Sequence, residues 1–191
     1  VAEFEEFVFR HQNGFYLQST YWASIKEDWH WEAVVTRGED GAICGTILVM
    51  IKALSRSLSI LYAPRGPVCN YHDETTLRRL LDGVKQLATR YGGILLRIDP
   101  PLLEEDEQAV QVFHRAGFRR HDTGSRNGTA QPRNNYILPL EGKTEEQVLM
   151  DFHQKWRYNI RIATRKGVEC RVCGADKLPD FYHLLKKTAD R

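Results

Sequence analysis

Lys155, Arg157, Arg161, Arg165 and Lys166 form the densest local concentration of cations in the chain. Read as a helix, their spacing places Arg157, Arg161 and Arg165 on one face. Trp156, Ile160 and Ala163 then make an apolar stripe on the adjoining face, as on a helix packed against a core. Gly167 supplies a stop, with Arg165 and Lys166 in the last turn, where cations suit the helix dipole. Guanidinium groups sharing a face repel one another unless an anion lies across them. Two readings follow. One is a solvated basic face whose long stems cover apolar surface. The other is a cradle for a diphosphate or a nucleic-acid backbone, because a guanidinium fork matches phosphate oxygens two at a time.

Other chemistry is sparse. No Ser-His-Asp or Cys-His arrangement is evident. Asp73 and Asp99 are weak candidates for a general base. Asp73 also reads as a helix cap, and Asp99 as a turn-former before Pro100. Cys170 and Cys173 form a lone Cys-x-x-Cys without a second pair or nearby histidines. The flanking Val168–Val172 reads as a strand, on which residues three apart face opposite sides, so a zinc site is not expected. All four cysteines are read as reduced thiols of a cytoplasmic protein.

The bulk composition narrows the classes. At 191 residues, with 42% hydrophobic and 10% aromatic content, the chain can bury a full core and is not a disordered polymer. The net charge of +2 excludes a global polycation, so any grip on phosphates must come from local clustering. No secretory signal opens the chain. The longest apolar run, Ala42 to Leu54, is broken by Gly45, Thr46 and Lys52 and is too short to span a bilayer.

The elements that must position these residues read as follows. Residues 2–12 form a short amphipathic helix and Phe15-Tyr16-Leu17 a brief strand. Ser19 or Thr20 caps a helix from Tyr21 to Asp28 that turns Trp22, Ile25 and Trp29 inward, with Lys26 at the rim. Trp31–Thr36, Ile43–Ala53 and Leu58–Tyr62 are strands. The first two are joined by a Gly-containing hairpin turn, and the third leads into an irregular loop, Tyr62 to Val68, stiffened by two prolines. Asp73 caps a long helix to about Arg90. The apolar run Ile94–Ile98 reads as a buried central strand, and Glu104–Ala116 as a helix. Residues 121–133 are a polar, Gly-rich loop, followed by a strand at Asn134–Leu140. Thr144-x-x-Gln147 is a capping box opening helical structure through 166, as one helix or as two with a break near Gln154. Val168–Val172 is a last strand and Leu178 onward a last helix. The order describes an α+β fold with helices on both faces of a mixed sheet.

That order resembles the GNAT (acyl-CoA N-acyltransferase-like) fold, but the glycine-rich loop that would grip a CoA pyrophosphate is replaced by Ala63-Pro64-Arg65-Gly66-Pro67-Val68, whose prolines remove amide donors. The residues present resemble the FemABX family of peptidoglycan-precursor aminoacyltransferases, built from two GNAT-like domains. The likeness rests on Gln18-Ser19-x-x-Trp22-Ala23-x-x-Lys26, Arg65-Gly66-Pro67-Val68, Leu96-Arg97-Ile98-Asp99-Pro100, Lys155-x-Arg157-Tyr158-Asn159-Ile160-Arg161-x-Ala163, and Phe181-Tyr182-x-Leu184-Leu185-x-x-Thr188-Ala189. It implies transfer of an amino acid from aminoacyl-tRNA, as co-substrate and without a separate cofactor, to the stem-peptide amine of lipid II or UDP-MurNAc-pentapeptide. It also implies that Lys26 and Arg157 hold the precursor diphosphate, with Tyr62 and Arg161 as further contacts. Residues 1–174 are then a GNAT-like domain, and 175–191 begin a helix leading to a second domain that is absent. The implied setting is the bacterial cytoplasm, with peripheral association at the inner face of the membrane and no transmembrane segment. Competing readings are an acetyl-CoA-dependent N-acetyltransferase and a non-catalytic RNA-binding module using the 155–166 face.

Overall fold

The computed structural model describes residues 1–121, 131–132 and 136–191. The chain divides into two compact units, Val1–Asn134 and Asn135–Arg191.

The first unit is built on a mixed sheet. Strands β1 (His30–Arg37), β2 (Ile43–Ala53) and β3 (Ser59–Ala63) run antiparallel in sequence order, and β5 (Gly93–Ile98) lies parallel to β3. The two-residue strand β4 (Val68–Cys69) pairs β2 at Gly45 and Thr46. The β1–β2 turn contains Gly41 at φ 78°, a left-handed conformation that glycine adopts without penalty. Strand β2 is buried on both faces, and its alternating side chains feed two cores. Ile47, Val49 and Ile51 pack with Leu77, Leu80, Val84 and Phe113 from α3 (Glu74–Tyr91) and α4 (Glu107–Arg115). Leu48 and Met50 pack on the other face with Phe4 and Val8 of α1 (Ala2–Arg10) and Ala23 of α2 (Thr20–Ile25). Helices therefore cover both faces of a mixed sheet, as expected. Helix α3 starts at the predicted Asp73 cap and ends at Gly92, which takes φ 64°.

Three expectations for this unit are corrected. Phe15-Tyr16-Leu17 is not a strand; Tyr16–Gln18 is a 3-10 turn that buries consecutive residues Leu17 and Gln18 together, which a pleated strand cannot do on one face. In α2 the buried residue is Ala23, Trp22 and Trp29 are half-buried, and Ile25 is 67% exposed, because the helix ends one turn earlier than the apolar pattern suggests. Strand β5 is not central. It lies at the end of the β1-β2-β3-β5 order, with Ile94 and Leu95 exposed, so its apolar run does not mark burial within this unit. The Gly-rich stretch at 121–133 and the start of the strand expected at Asn134 fall largely outside the described residues.

The second unit contains three α-helices among the described residues. The Thr144 capping box is present and opens α5 (Glu145–Asp151). The helical stretch is two helices, not one: Phe152 and His153 are extended, and His153 accepts a bond from the Lys155 N–H to cap α6 (Gln154–Arg165). Helix α7 (Leu178–Ala189) follows a 3-10 turn. Residues 136–140 and 168–172 are not strands, contrary to the sequence pattern. A β-prone run forms a strand only against a partner edge, and this unit by itself holds none among its described residues. Trp156 and Ile160, expected on a core-facing stripe, are 66% and 40% exposed.

Candidate functional site

Strands β3 and β5 are the parallel pair, and their C-terminal ends lie side by side: Tyr62 pairs Arg97 and Ala63 pairs Ile98. Ligands in α/β sheets favour the mouth beyond such ends. Here the next residue of β5, Asp99, uses both oxygens. Its Oδ2 accepts the Tyr62 hydroxyl at 2.8 Å, and its Oδ1 accepts the Arg65 backbone N–H at 2.6 Å. Asp99 is thus more than a turn-former before Pro100. It ties the end of one strand to the loop leaving its neighbour.

That loop is buried from Ala63 through Cys69, which is unusual for irregular backbone and demands partners for every polar group. Asp99 takes the Arg65 N–H, Gln18 the Pro64 carbonyl, the Tyr71 hydroxyl the Pro67 carbonyl at 3.3 Å and the Asn13 amide the Cys69 carbonyl at 2.9 Å, while the buried Arg65 Nε has no partner among the described residues. The Gln18 side chain, fully buried, donates from Nε2 to the Pro64 carbonyl at 2.8 Å and the Leu48 carbonyl at 3.1 Å, while its Oε1 accepts the Leu48 N–H at 2.8 Å. Strand β2 pairs β3 through Met50–Ala53 and β4 through Gly45 and Thr46, so Leu48 falls in the interval between the two ladders. A side-chain amide there substitutes for a missing piece of strand. Within the loop Arg65 takes φ 56°, the Gly66–Pro67 bond is cis, and a Cβ on Gly66 would stand 2.6 Å from the Gln18 Cδ. The Arg65 guanidinium is buried, lies 5.6 Å from the Phe15 ring centre, and donates from Nη2 to the Pro132 carbonyl at 3.0 Å. Sequence reasoning placed Gln18 and Arg65 only within motifs. The available signal was a polar amide between Leu17 and a capping serine.

Of the sequence candidates in the first unit, Tyr62 is half-buried, and burial first, then the Asp99 carboxylate, pushes its hydroxyl up to about 12 despite a donor from Gln131. The phenol is therefore protonated across the physiological range. Lys26 forms the C-cap of α2, is exposed, and holds its Nζ 4.5 Å from the Trp22 ring centre. Asp73 accepts the Thr76 N–H at 3.0 Å and the Thr76 hydroxyl at 2.7 Å, and these bonds hold its carboxyl below the usual range. That carboxylate is committed to capping α3. In the second unit Arg157 is half-buried and donates from Nη1 to the Met150 carbonyl at 2.8 Å, a cation on the last turn of α5. Arg161 and Arg165 are exposed at the same helical spacing. The structure thus brings together Tyr62 and Asp99 in the first unit, and Arg157 and Arg161 on one helix of the second.

Residues 1–191 match the FemAB family along their whole length. The chain belongs to the FemAB family. The lipid II:glycine glycyltransferase of Staphylococcus haemolyticus (strain JCSC1435) is 29% identical to it over 196 residues, covering 99% of this chain and 46% of that protein. The protein of the same name from Staphylococcus aureus matches with the same identity and coverage. A crystal structure of FemX superimposes with a TM-score of 0.91 at 28% identity, over 100% of this chain and 48% of FemX. The FemAB family chain described here therefore spans about half the length of the relatives it matches. The mixed α+β sheet expected from the sequence belongs to a fold shared with FemX. Among the described residues, no helix is long and apolar enough to cross a membrane.

Proposed function

We propose that this FemAB family chain serves an aminoacyltransferase reaction in which an amino acid leaves aminoacyl-tRNA for the stem-peptide amine of a peptidoglycan precursor, lipid II or UDP-MurNAc-pentapeptide. The product is an interpeptide bridge. The reading is carried by membership of the FemAB family and the likeness over 99% of the chain to a protein named lipid II:glycine glycyltransferase. The chemistry suits a site without a nucleophilic triad. An aminoacyl ester is already activated, so the acceptor amine needs deprotonation and placement, and positioning supplies most of the rate. In this reading Lys26 and Tyr62 are the precursor contacts of the first unit and Arg157 and Arg161 those of the second. Aminoacyl-tRNA is a co-substrate, no separate cofactor takes part, and the protein works in the bacterial cytoplasm at the inner face of the membrane.

The test is binding of UDP-MurNAc-pentapeptide to the chain and to Lys26→Ala and Arg157→Ala, by calorimetry. Loss of one charge-assisted contact to phosphate weakens binding about tenfold or more in each variant. Parental affinity in both would refute the assignment of these residues. A melting-point rise with the muropeptide and none with acetyl-CoA separates this reading from N-acetyl transfer. Binding of any RNA with steep salt dependence, and no response to the muropeptide, would favour an RNA-binding module instead.

A further inference from the structure

The loops that leave the C-terminal ends of β3 and β5 are tied a second time, by groups other than Asp99. His72 Nε2 lies 3.0 Å from Asp106 Oδ1, joining the segment before α3 to the N-cap of α4. Between these loops is a small crevice of about 140 Å³, lined also by Gln12 and Asn13 just after α1. Crevices beyond the carboxyl ends of parallel strands are where such sheets bind ligands. We propose that this crevice receives the acceptor amine of the stem peptide, with His72 as a hydrogen-bond acceptor and Asp106 as the residue that orients its ring. The inference rests on the reading of the chain as serving aminoacyl transfer to such an amine.

The hydrogen bonding selects a donor as the occupant. Asp106 is held below the usual carboxylate range, first by the Ala109 N–H and then by His72, so it is ionised at neutral pH. An ionised carboxylate only accepts, so the His72 nitrogen facing it carries the proton and Nδ1 keeps a lone pair. Nδ1 has no hydrogen-bond partner among the described residues. Asn13 donates its amide to the Cys69 carbonyl at 2.9 Å, which turns its Oδ1 into a second open acceptor. Asn70 Oδ1 takes the His72 N–H at 3.1 Å and steadies the segment that carries the ring. Among the described residues no lysine or arginine lines the crevice, and its one fixed charge is that of Asp106. A phosphate is therefore disfavoured there, while an amine or ammonium finds acceptors beside a carboxylate. The neighbouring Asp73 is committed to capping α3 and the Tyr71 hydroxyl to the Pro67 carbonyl, so neither competes for the occupant. The volume falls below the roughly 300 Å³ at which whole-ligand sites begin, so the crevice admits the end of a side chain and not a sugar or nucleotide. Leu102 and Leu103, which also line it, suit the methylenes behind an amino group.

The test compares UDP-MurNAc-pentapeptide carrying lysine as its amine-bearing residue with the same molecule carrying norleucine, which lacks only the amino group. Affinities are measured by calorimetry with the 191-residue chain. The lysine form should bind about tenfold or more tighter, the worth of a hydrogen bond to a charged group. His72→Ala alters a part-exposed ring, and Asp106→Asn keeps a capping side chain on α4, so both variants should fold. Each should cut the preference to about threefold or less while leaving the norleucine form at its parental affinity, which a merely structural role would not do. Lys26→Ala should weaken both forms alike and keep the preference. Equal affinity of the parent for the two forms, with Lys26 still required, overturns the crevice and leaves the aminoacyl-transfer reading standing. A preference that survives both His72→Ala and Asp106→Asn, or a loss in these variants that falls equally on the two forms, also overturns the assignment. Failure of the parent to bind either form overturns the aminoacyl-transfer reading and this inference with it.

Discussion

Replacing Gln18 by Leu preserves volume while removing a side chain that satisfies three buried backbone groups. Its bonds to the Leu48 N–H, the Leu48 carbonyl and the Pro64 carbonyl span 2.8 to 3.1 Å, at a residue with no exposed surface. A buried donor left unpaired costs about 1–3 kcal/mol, and a carbonyl with two lone pairs somewhat less. Added burial of the leucine methyls returns roughly 1 kcal/mol. The net loss is about 2–4 kcal/mol, a large share of the 5–15 kcal/mol available to a typical domain. For a unit of this size that lowers the melting temperature by about 8–15 °C. Gln18→Glu sharpens the test, because it keeps an acceptor for the Leu48 N–H but turns a carboxylate toward two carbonyls, so it should be worse than Leu. Calorimetric melting measures the global effect. Hydrogen exchange at the Leu48 amide measures the local one, with protection lost in Gln18→Leu. Melting of Gln18→Leu within about 2 °C of the parent, or a Gln18→Glu variant more stable than Gln18→Leu, would refute the idea that this amide stands in for strand.

Other perturbations follow from the same contacts. Gly66→Ala places a methyl 2.6 Å from the Gln18 Cδ and should cost about 1–3 kcal/mol by denaturant unfolding, with a smaller cost in a Gln18→Ala background. Asp73→Ala should cost about 1 kcal/mol by removing the α3 cap and leave muropeptide binding unchanged. Because Asp73 has a depressed folded pKa, its contribution is present above the unfolded carboxylate value and fades as pH falls through the folded one, so parent and Asp73→Ala stabilities should converge in acid. Tyr62 has the opposite sign: its folded pKa near 12 exceeds the unfolded 10, so its contribution is full below pH 10 and is lost as pH climbs toward 12. Tyr62→Phe should therefore lose less stability than the parent over that alkaline window. A colorimetric thiol reagent should modify the exposed Cys170 and Cys173 rapidly, and reach Cys69, whose thiol burial pushes up to about 12, only on unfolding.

Local signals in the sequence transferred well wherever one residue carried the physics. The Asp73 cap, the Gly41 turn and the Thr144 capping box each stand where their side-chain chemistry puts them. Patterns that depend on a partner did not transfer. The apolar run of β5 looks central but lies at the sheet end of its unit, and the β-prone 136–140 and 168–172 have no ladder, because hydrophobic periodicity does not say what an element packs against. At the candidate site, Tyr62 and Asp99 were legible as separate residues 37 positions apart, but their hydrogen bond was not. It arises from the parallel pairing of β3 with β5, a long-range fact with no local trace. Gln18 was missed for the same reason: an amide serving as a piece of strand is visible only once the interval between two ladders is known.

Asp99 joins three positions into one mechanically coupled corner. Its two oxygens are divided between a phenol at 62 and a main-chain donor at 65. A side chain at 99 with only one polar atom would have to release either the ring or the turn, whereas an amide could keep both by accepting the main-chain donor and donating to the phenol. A change at 99 is therefore felt at 62 and at 65 together, through the same two hydrogen bonds.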